Sequence, residues 1–561
     1  MNYKHEIAKL INIEGVSKEE IEKLITFPKD SSMGDYSLPC FKFSKVLKKA
    51  PVIIANELKD SIEKTEIIDK VESVAGYLNF TINKTGFIKQ TIDKVCELGE
   101  NYGSSDIGNG KTVCIDYSSI NIAKPFHIGH LSTTVIGAAL YRIYKFLGYN
   151  TVGINHLGDW GTQFGKLIVA YKLWGNKEEI ESRGIRALLE IYVKFHAEAE
   201  KNDSLNDEAR AWFKKIEDGD QEALSLFGWF KDITLKEVSR IYDRLDIQFD
   251  SYNGESFYND KMQPILDEIE QKGLSKTSEG AMIVDLEEYG MAPCLLKKAD
   301  GATLYATRDL AAAFYRKNTY DFDKCLYVVA YQQNLHFKQW FKVVELMGYN
   351  WAKDLVHVAF GMVSLEGASL STRKGNVVFL EEVLNTAVEK AYNIICEKNN
   401  GLENKEQIAE EVGVGAVVFS ALSNNRIKDI SFSYDKVLNF DGETAPYIQY
   451  THARCCSVLE KGEIGSEIDY SAINNDEAVE LIKLIDRFPQ IVKDSAEKYE
   501  PSMVTRHIIL IAQAYNKFYI NHRILNQPEA VKNARMLLTK CTKDVIKTGL
   551  ALIGIKAPTK M

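Results

Sequence analysis

A change of hydrophobic period between residues 112 and 155 constrains the fold of this chain more than any other feature. Val113, Ile115 and Tyr117 alternate with Cys114 and Asp116, the period-two pattern of a strand. Downstream, Leu131, Val135, Ile136, Ala139, Ile143 and Leu147 recur at helical spacing, and Gly148 stops the pattern. A second strand is expected over residues 151–155. Strand, helix and strand in that order predict a βαβ unit in a parallel sheet, with a ligand at the carboxyl ends of its strands.

The connection between the first strand and the helix reads Ser118-Ser119-Ile120-Asn121-Ile122-Ala123-Lys124-Pro125-Phe126-His127-Ile128-Gly129-His130. It places a His-x-Gly-His tetrad at a helix N-terminus. Two imidazoles one turn apart suit phosphate oxygens there, because free backbone N–H groups and the helix dipole favour an anion. Gly129 allows a nucleotide to approach the backbone closely. Taken alone, the histidine pair fits chance, with ordinary core or surface histidines, better than it fits half of a metal site, and the flanking sequence has to decide.

At 561 residues the chain is too long for one core, so three or more domains are expected. No apolar run approaches the roughly 18 residues of a membrane span, and the start Met1-Asn2-Tyr3-Lys4-His5-Glu6 is unlike a signal peptide. Nine scattered cysteines without a C-x-x-C pair suit reduced thiols in a cytoplasmic protein, and Cys455-Cys456 lacks the partners of a zinc site. A net charge of −9 argues against a surface coated for nucleic acid, but the distribution is uneven. Residues 460–500 hold eleven acids and five bases, whereas residues 501–561 hold ten bases and two acids. That basic tail is a candidate polyanion-binding face, or a solvated helix face with ordinary lysines.

Residues 1–105 read as a small mixed module: an opening helix, a turn at Gly34-Asp35-Tyr36, a lysine-bearing helix near 41–49 and a strand over 73–82. Residues 106–380 carry the α/β pattern, with mostly helical insertions at about 172–300 and further strands at 326–330 and 355–360. Residues 381–561 read as a helical bundle, in which Ile508, Ile511, Ala512, Tyr515, Phe518 and Tyr519 keep a helical period.

Segment 118–130 resembles the signature of class I aminoacyl-tRNA synthetases, and specifically of the arginyl-tRNA synthetase family. Further likenesses follow in family order: Gly158-Asp159-Trp160-Gly161-Thr162-Gln163-Phe164-Gly165, Tyr305-Ala306-Thr307-Arg308-Asp309, residues 327–337, Ser371-Thr372-Arg373-Lys374-Gly375-Asn376, residues 447–454 and the ending from Gly549 to Met561. The resemblance implies a Rossmann-like parallel-sheet catalytic domain with insertions. It also implies an N-terminal α+β tRNA-binding domain and a C-terminal all-α anticodon-binding bundle. Its activity is an ATP-dependent ligation of L-arginine to arginine tRNA through an arginyl-adenylate, with first attachment to the 2′-hydroxyl of the terminal adenosine. Magnesium arrives with the nucleotide rather than in a protein metal site, and the chain is expected to be a monomer.

The same resemblance assigns roles. His127, His130, Lys124 and Lys374 serve catalysis, and His127, Gly129, His130, Ser371, Arg373 and Lys374 hold ATP. Asp116, Ser119, Asn121, His130, Tyr305, Asp309 and Gln333 hold arginine, with Glu255 a weaker candidate. A guanidinium calls for carboxylates in forked pairs and for amides or hydroxyls that take its remaining protons. The chain departs from the family at Ala368 and Ser369, where many relatives have lysines, and at Ser132 and Ala138. Within the family a lysine beside the tetrad, here Lys124, is thought to compensate for the depleted loop.

Overall fold

The computed structural model describes residues 3–28, 30–63, 65, 68–365 and 378–561. It forms two compact units, one made of Met1–Tyr102, Arg454–Phe488 and Leu510–Ile546, the other of Gly103–Ala453, Pro489–Ile509 and Lys547–Met561.

In the first unit, β1 (Tyr36–Pro39), β2 (Ile68–Val74) and β3 (Tyr77–Ile82) form an antiparallel sheet in the order β1-β3-β2. The single strand expected over 73–82 is therefore the end of the first arm, the turn and the second arm of a hairpin. Ala75 at φ 49° and Gly76 at φ 81° both occupy the left-handed region, which matches the twist of a tight two-residue hairpin turn. Helix α1 (Lys84–Leu98) follows, capped by the Asn83 side chain, which accepts the Gly86 N–H at 3.2 Å. It buries Phe87, Ile88, Ile92 and Val95 on one face.

The second unit is built on four parallel strands: β4 (Thr112–Asp116), β5 (Asn150–Ile154), β6 (Lys324–Tyr327) and β7 (Leu355–His357), in the order β7-β6-β4-β5. The expected βαβ unit is β4, α2 (Leu131–Phe146) and β5. β4 lies between two partners, and its Val113, Cys114 and Ile115 are fully buried, as in a sheet covered on both faces. The insertion between β5 and β6 holds several helices, of which α3 (Gln221–Arg244) is the longest, and a three-stranded antiparallel sheet of Ser275–Ser278, Ala281–Val284 and Cys294–Lys297. Helices α4 (Tyr305–Tyr320) and α5 (Asn334–Leu346) then flank β6. Leu310, Ala313, Trp340 and Val343 on these helices join Cys114, Ile154 and Cys325 of the sheet in one core. Each fully buried large apolar side chain there contributes about 1.5–3 kcal/mol.

The C-terminal third is helical, with α6 (Ala445–Leu459), α7 (Asp476–Glu497), α8 (Ser502–Asn521) and α9 (Glu529–Leu552). Ile508, Ile511, Ala512, Tyr515 and Phe518 are buried as their period predicts, whereas Tyr519 is 38% exposed and stacks on the Arg454 guanidinium at 5.1 Å. Among the described residues no helix is long and apolar enough to cross a membrane.

Candidate active site

The chain leaves the carboxyl end of β4 through a strained connection. Ser118, Ser119 and Ala123 all have positive φ, at 69°, 44° and 59°. Such conformations cost about 1–3 kcal/mol each in residues other than glycine, so the surroundings must hold them. A buried relay of hydroxyls does so. The Ser118 N–H donates to Thr133 Oγ1 at 3.0 Å, and the Thr133 hydroxyl donates to the Val328 carbonyl at 2.7 Å. Thr134 Oγ1 lies 2.9 Å from Ser118 Oγ, which lies 2.7 Å from the Tyr242 hydroxyl, which in turn accepts from the Asn155 amide at 2.9 Å. Residues just beyond β4, β5 and β6 are thus tied through α2 and α3. Farther along, the Ala123 N–H donates to Thr234 Oγ1 at 2.9 Å.

The tetrad forms one 3₁₀ turn, Ile128–His130, that leads directly into α2. Its polar groups close on themselves. His127 Nδ1 accepts from the Gly129 N–H at 3.0 Å, and His130 Nδ1 accepts from the His127 N–H at 3.2 Å. The His130 N–H bonds the His127 carbonyl, and the Ile128 N–H bonds Val378 O at 3.1 Å. The free backbone donors expected at this helix start are therefore taken, because the two imidazoles cap the turn themselves. Accepting at Nδ1 leaves each neutral ring with its proton on Nε2, a donor for an incoming oxygen. Both rings are held neutral: burial first, and then the neighbouring His127, push the His130 imidazole down to about 3, and burial with the Lys124 ammonium lowers His127. The ring centroids lie 4.0 Å apart. A Cβ on Gly129 would meet His127 Cε1 at 2.8 Å, so only glycine lets the ring fold over the turn. This cradle and its two Nε2–H donors fit a phosphate-bearing ligand.

Asp116 ends β4 and is buried. Ser119 Oγ donates to its Oδ1 at 2.7 Å, and Arg316 Nη2 meets its Oδ2 at 2.8 Å. Arg316 is 1% exposed; the same nitrogen lies 3.3 Å from His156 Nδ1, and the guanidinium sits 5.3 Å from the Tyr327 ring centre. Asp309, one turn into α4, lies 2.5 Å from His336 Nε2 on α5 and keeps partial exposure. Tyr305 opens α4 and is 68% exposed, and Gln333 is exposed on the 3₁₀ turn Tyr331–Gln333. Asn121 bridges Gly158 in a short parallel pairing.

Glu255 is partly buried, 3.7 Å from Arg308 Nη1. Burial, and the charges of Asp309 and Asp159, push its carboxyl up to about 7 against the opposing pull of Arg308 and Lys124. Asp159 is fully buried, accepts from the Ser256 N–H and hydroxyl at 2.9 Å each and pairs with Lys231 at 2.8 Å.

The structure thus gathers Asp116, Ser119, Arg316 and His156 into one cluster and His127 with His130 into another, and pairs Asp309 with His336. Ser371, Arg373 and Lys374 lie outside the described residues. The chain just after them returns to the tetrad: Val378 O accepts from Ile128, and the Leu380 N–H donates to Phe126 O at 2.9 Å. Sequence reasoning missed Arg316, His156, His336 and the Thr133–Thr134–Tyr242–Asn155 relay. Arg316 carried a faint signal, since it falls seven residues after Asp309 and hence on the same helix face.

Comparison with known families supplies further findings. The family described as tRNA synthetases class I (R), catalytic domain, matches residues 92–434. The arginyl tRNA synthetase N terminal domain matches residues 1–82, and the DALR anticodon binding domain matches residues 448–561. The arginine–tRNA ligase of Alkaliphilus metalliredigens is 57% identical over 564 aligned residues, covering 100% of both chains. That of Clostridioides difficile is 56% identical over 98% of this chain and 97% of its own. Among solved structures, the arginyl-tRNA synthetase of Thermus thermophilus superposes with a TM-score of 0.84 at 25% identity, covering 96% of each chain.

Proposed function

This chain belongs to the arginyl-tRNA synthetase family, and from that premise we propose that it ligates L-arginine to arginine tRNA at the expense of ATP. The reaction has two steps. An oxygen of the arginine carboxylate attacks the α-phosphorus, the bond to the β-phosphate oxygen breaks, and pyrophosphate leaves. The 2′-hydroxyl of the terminal adenosine then attacks the carbonyl carbon of the arginyl-adenylate, loses its proton and releases AMP.

The single observation that carries the proposal is the self-capped tetrad, whose neutral rings present Nε2–H donors within one turn of each other. Neutral donors hold a developing phosphate charge without having to shed a proton first. His127 and His130 take that role, Gly129 admits the nucleotide, and Lys124 adds fixed positive charge. Ser371, Arg373 and Lys374 complete the ATP site. Magnesium, carried in by the phosphates, offsets their charge.

Arginine binds at the carboxyl ends of the strands. Asp309 takes the guanidinium, Tyr305 borders it, and Gln333, Asn121 and His130 meet the amino-acid end. Asp116 and Ser119 form the polar wall beside it. Since Arg316 already balances the charge of Asp116, Asp309 supplies the net negative charge that selects a cationic side chain. Residues 1–105 and 381–561 flank a catalytic part at 106–380 and hold the tRNA, and the chain works as a cytoplasmic monomer.

Aminoacylation of purified arginine tRNA with labelled arginine tests this. Charging that requires ATP and discriminates against lysine is expected. Tight tRNA binding without charging would instead identify a scaffold that has lost the reaction.

A further inference from the structure

Within the first unit, two cysteines distant in sequence meet. Cys96 stands near the end of α1 and Cys541 in the middle of α9, 445 positions later, and their sulfurs are 3.8 Å apart. All nine cysteines are free thiols in the structure. Cys541 is fully buried and lies 3.9 Å from the Ile92 carbonyl, whereas Cys96 is partly exposed and open to a reactant. A disulfide needs about 2.05 Å between sulfurs, so closure requires a movement of under about 2 Å.

We propose that Cys96 and Cys541 form an oxidisable dithiol, a thiol–disulfide exchange site in which Cys96 attacks a small-molecule disulfide and Cys541 resolves the adduct. The Cys96 thiolate attacks one sulfur of the reagent, the reagent's S–S bond breaks, and one reagent thiolate leaves. The Cys541 thiolate then attacks the Cys96 sulfur and expels the second reagent thiolate. Two electrons pass from the protein dithiol to the reagent, one disulfide forms as another is consumed, and the two protein protons pass to the released thiolates. The division of labour follows from the surroundings. A hydrogen bond from Cys541 and the nearby Lys540 ammonium hold the Cys96 thiol below its usual range, against burial and the charges of Asp544 and Asp93. The thiolate is the nucleophile in exchange, so the accessible member of the pair is also the readier one. The product pins α1 to α9 across almost the whole chain.

The full chain is treated with oxidised glutathione, trapped by alkylation and analysed by intact mass and peptide mapping. We expect loss of two hydrogens, a linked Cys96–Cys541 peptide pair, reversal by dithiothreitol, and a melting temperature raised on the order of 5 °C in the oxidised form. Cys541→Ala should stop at a glutathione adduct on Cys96 with no rise in melting temperature, and Cys96→Ser should remain unmodified at both positions. Because Cys541→Ala opens a small cavity in the core, the partly exposed Cys96→Ser serves as the second, milder variant. A wild-type protein that stops at the Cys96 adduct with Cys541 still alkylatable, or that leaves both thiols untouched, overturns the proposal.

Discussion

The carboxylate of Asp116 and the guanidinium of Arg316 meet at 2.8 Å with both side chains buried, one at the end of the central strand and the other deep in α4. The pair leaves the carboxyl end of the central strand electrically balanced there. Removing one member of a buried pair strands the other charge, at a cost of about 3–5 kcal/mol. Asp116→Asn and Arg316→Met should therefore each lower stability by roughly that amount in denaturant unfolding. The double variant should lose less than the sum, because no uncompensated charge remains. Strictly additive losses would show that the two groups do not rely on each other.

Asp309 carries the second prediction. It is partly exposed and, among the described residues, pairs with His336, so it can meet a substrate guanidinium. Charge-assisted bonds of this kind contribute about 1.5–3 kcal/mol each. Asp309→Ala should raise the KM for arginine by about 100-fold or more while leaving the KM for ATP within a few-fold. An unchanged KM for arginine would remove Asp309 from the guanidinium site.

The parts of this site that could be read from the sequence are those encoded by local period and spacing. Alternation from Val113 to Tyr117 and the helical repeat from Leu131 marked the sheet, the helix and the tetrad between them. Pairings that depend on tertiary proximity were hidden. Nothing near Asp116 announces a partner 200 positions away, and Tyr242 is indistinguishable from any other apolar-face tyrosine until it sits between Ser118 and Asn155. The capping of the tetrad was misread for a related reason. Donor count at a helix start is a local rule, but whether the donors stay free depends on where the two imidazoles turn. The hairpin at Ala75-Gly76 was read as one strand because alanine rarely adopts positive φ and so gave no turn signal.

Lys124 and Lys374 can be ranked. The Lys124 ammonium lowers the His127 imidazole, after burial, so on the proposed reading its charge reaches the tetrad. Lys124→Ala should reduce kcat for arginine-dependent pyrophosphate exchange, measured with tRNA present, by about 100-fold. Lys374→Ala should cost less. Equal or reversed losses would remove the compensating role from Lys124.

Glu255 predicts a pH dependence. Its carboxyl is pushed up to about 7 from an ordinary 4.5, so the folded protein keeps a proton that the unfolded chain has already lost. Its contribution is therefore a penalty that grows as pH rises from 4.5 to 7 and is constant above. Glu255→Gln should be as stable as wild type near pH 4 and more stable at pH 8. A cationic substrate favours the ionised form, so arginine should bind more tightly as pH rises through 7, with a proton released on binding. Titration calorimetry in buffers of different ionisation enthalpy measures that proton. Its persistence in Glu255→Gln would assign it to another group.

His130 gives the opposite case. Its imidazole is held near 3, well below the ordinary 6.5, because burial and the neighbouring His127 disfavour the cation. Above pH 6.5 neither the folded nor the unfolded chain protonates it, and it makes no pH-dependent contribution. As pH falls from 6.5 toward 3, the unfolded chain takes up a proton that the folded site refuses, and stability declines. Replacing His130 with Gln should make that decline shallower without altering stability above pH 7 in a pH-dependent way. Nitrogen-resolved NMR of labelled histidines offers the direct test. At pH 5 the His130 ring should still be neutral with its proton on Nε2, the state its accepted bond from the His127 N–H requires. An imidazolium signal for His130 at pH 5 would mean that the tetrad presents a charged rather than a neutral donor to the phosphates.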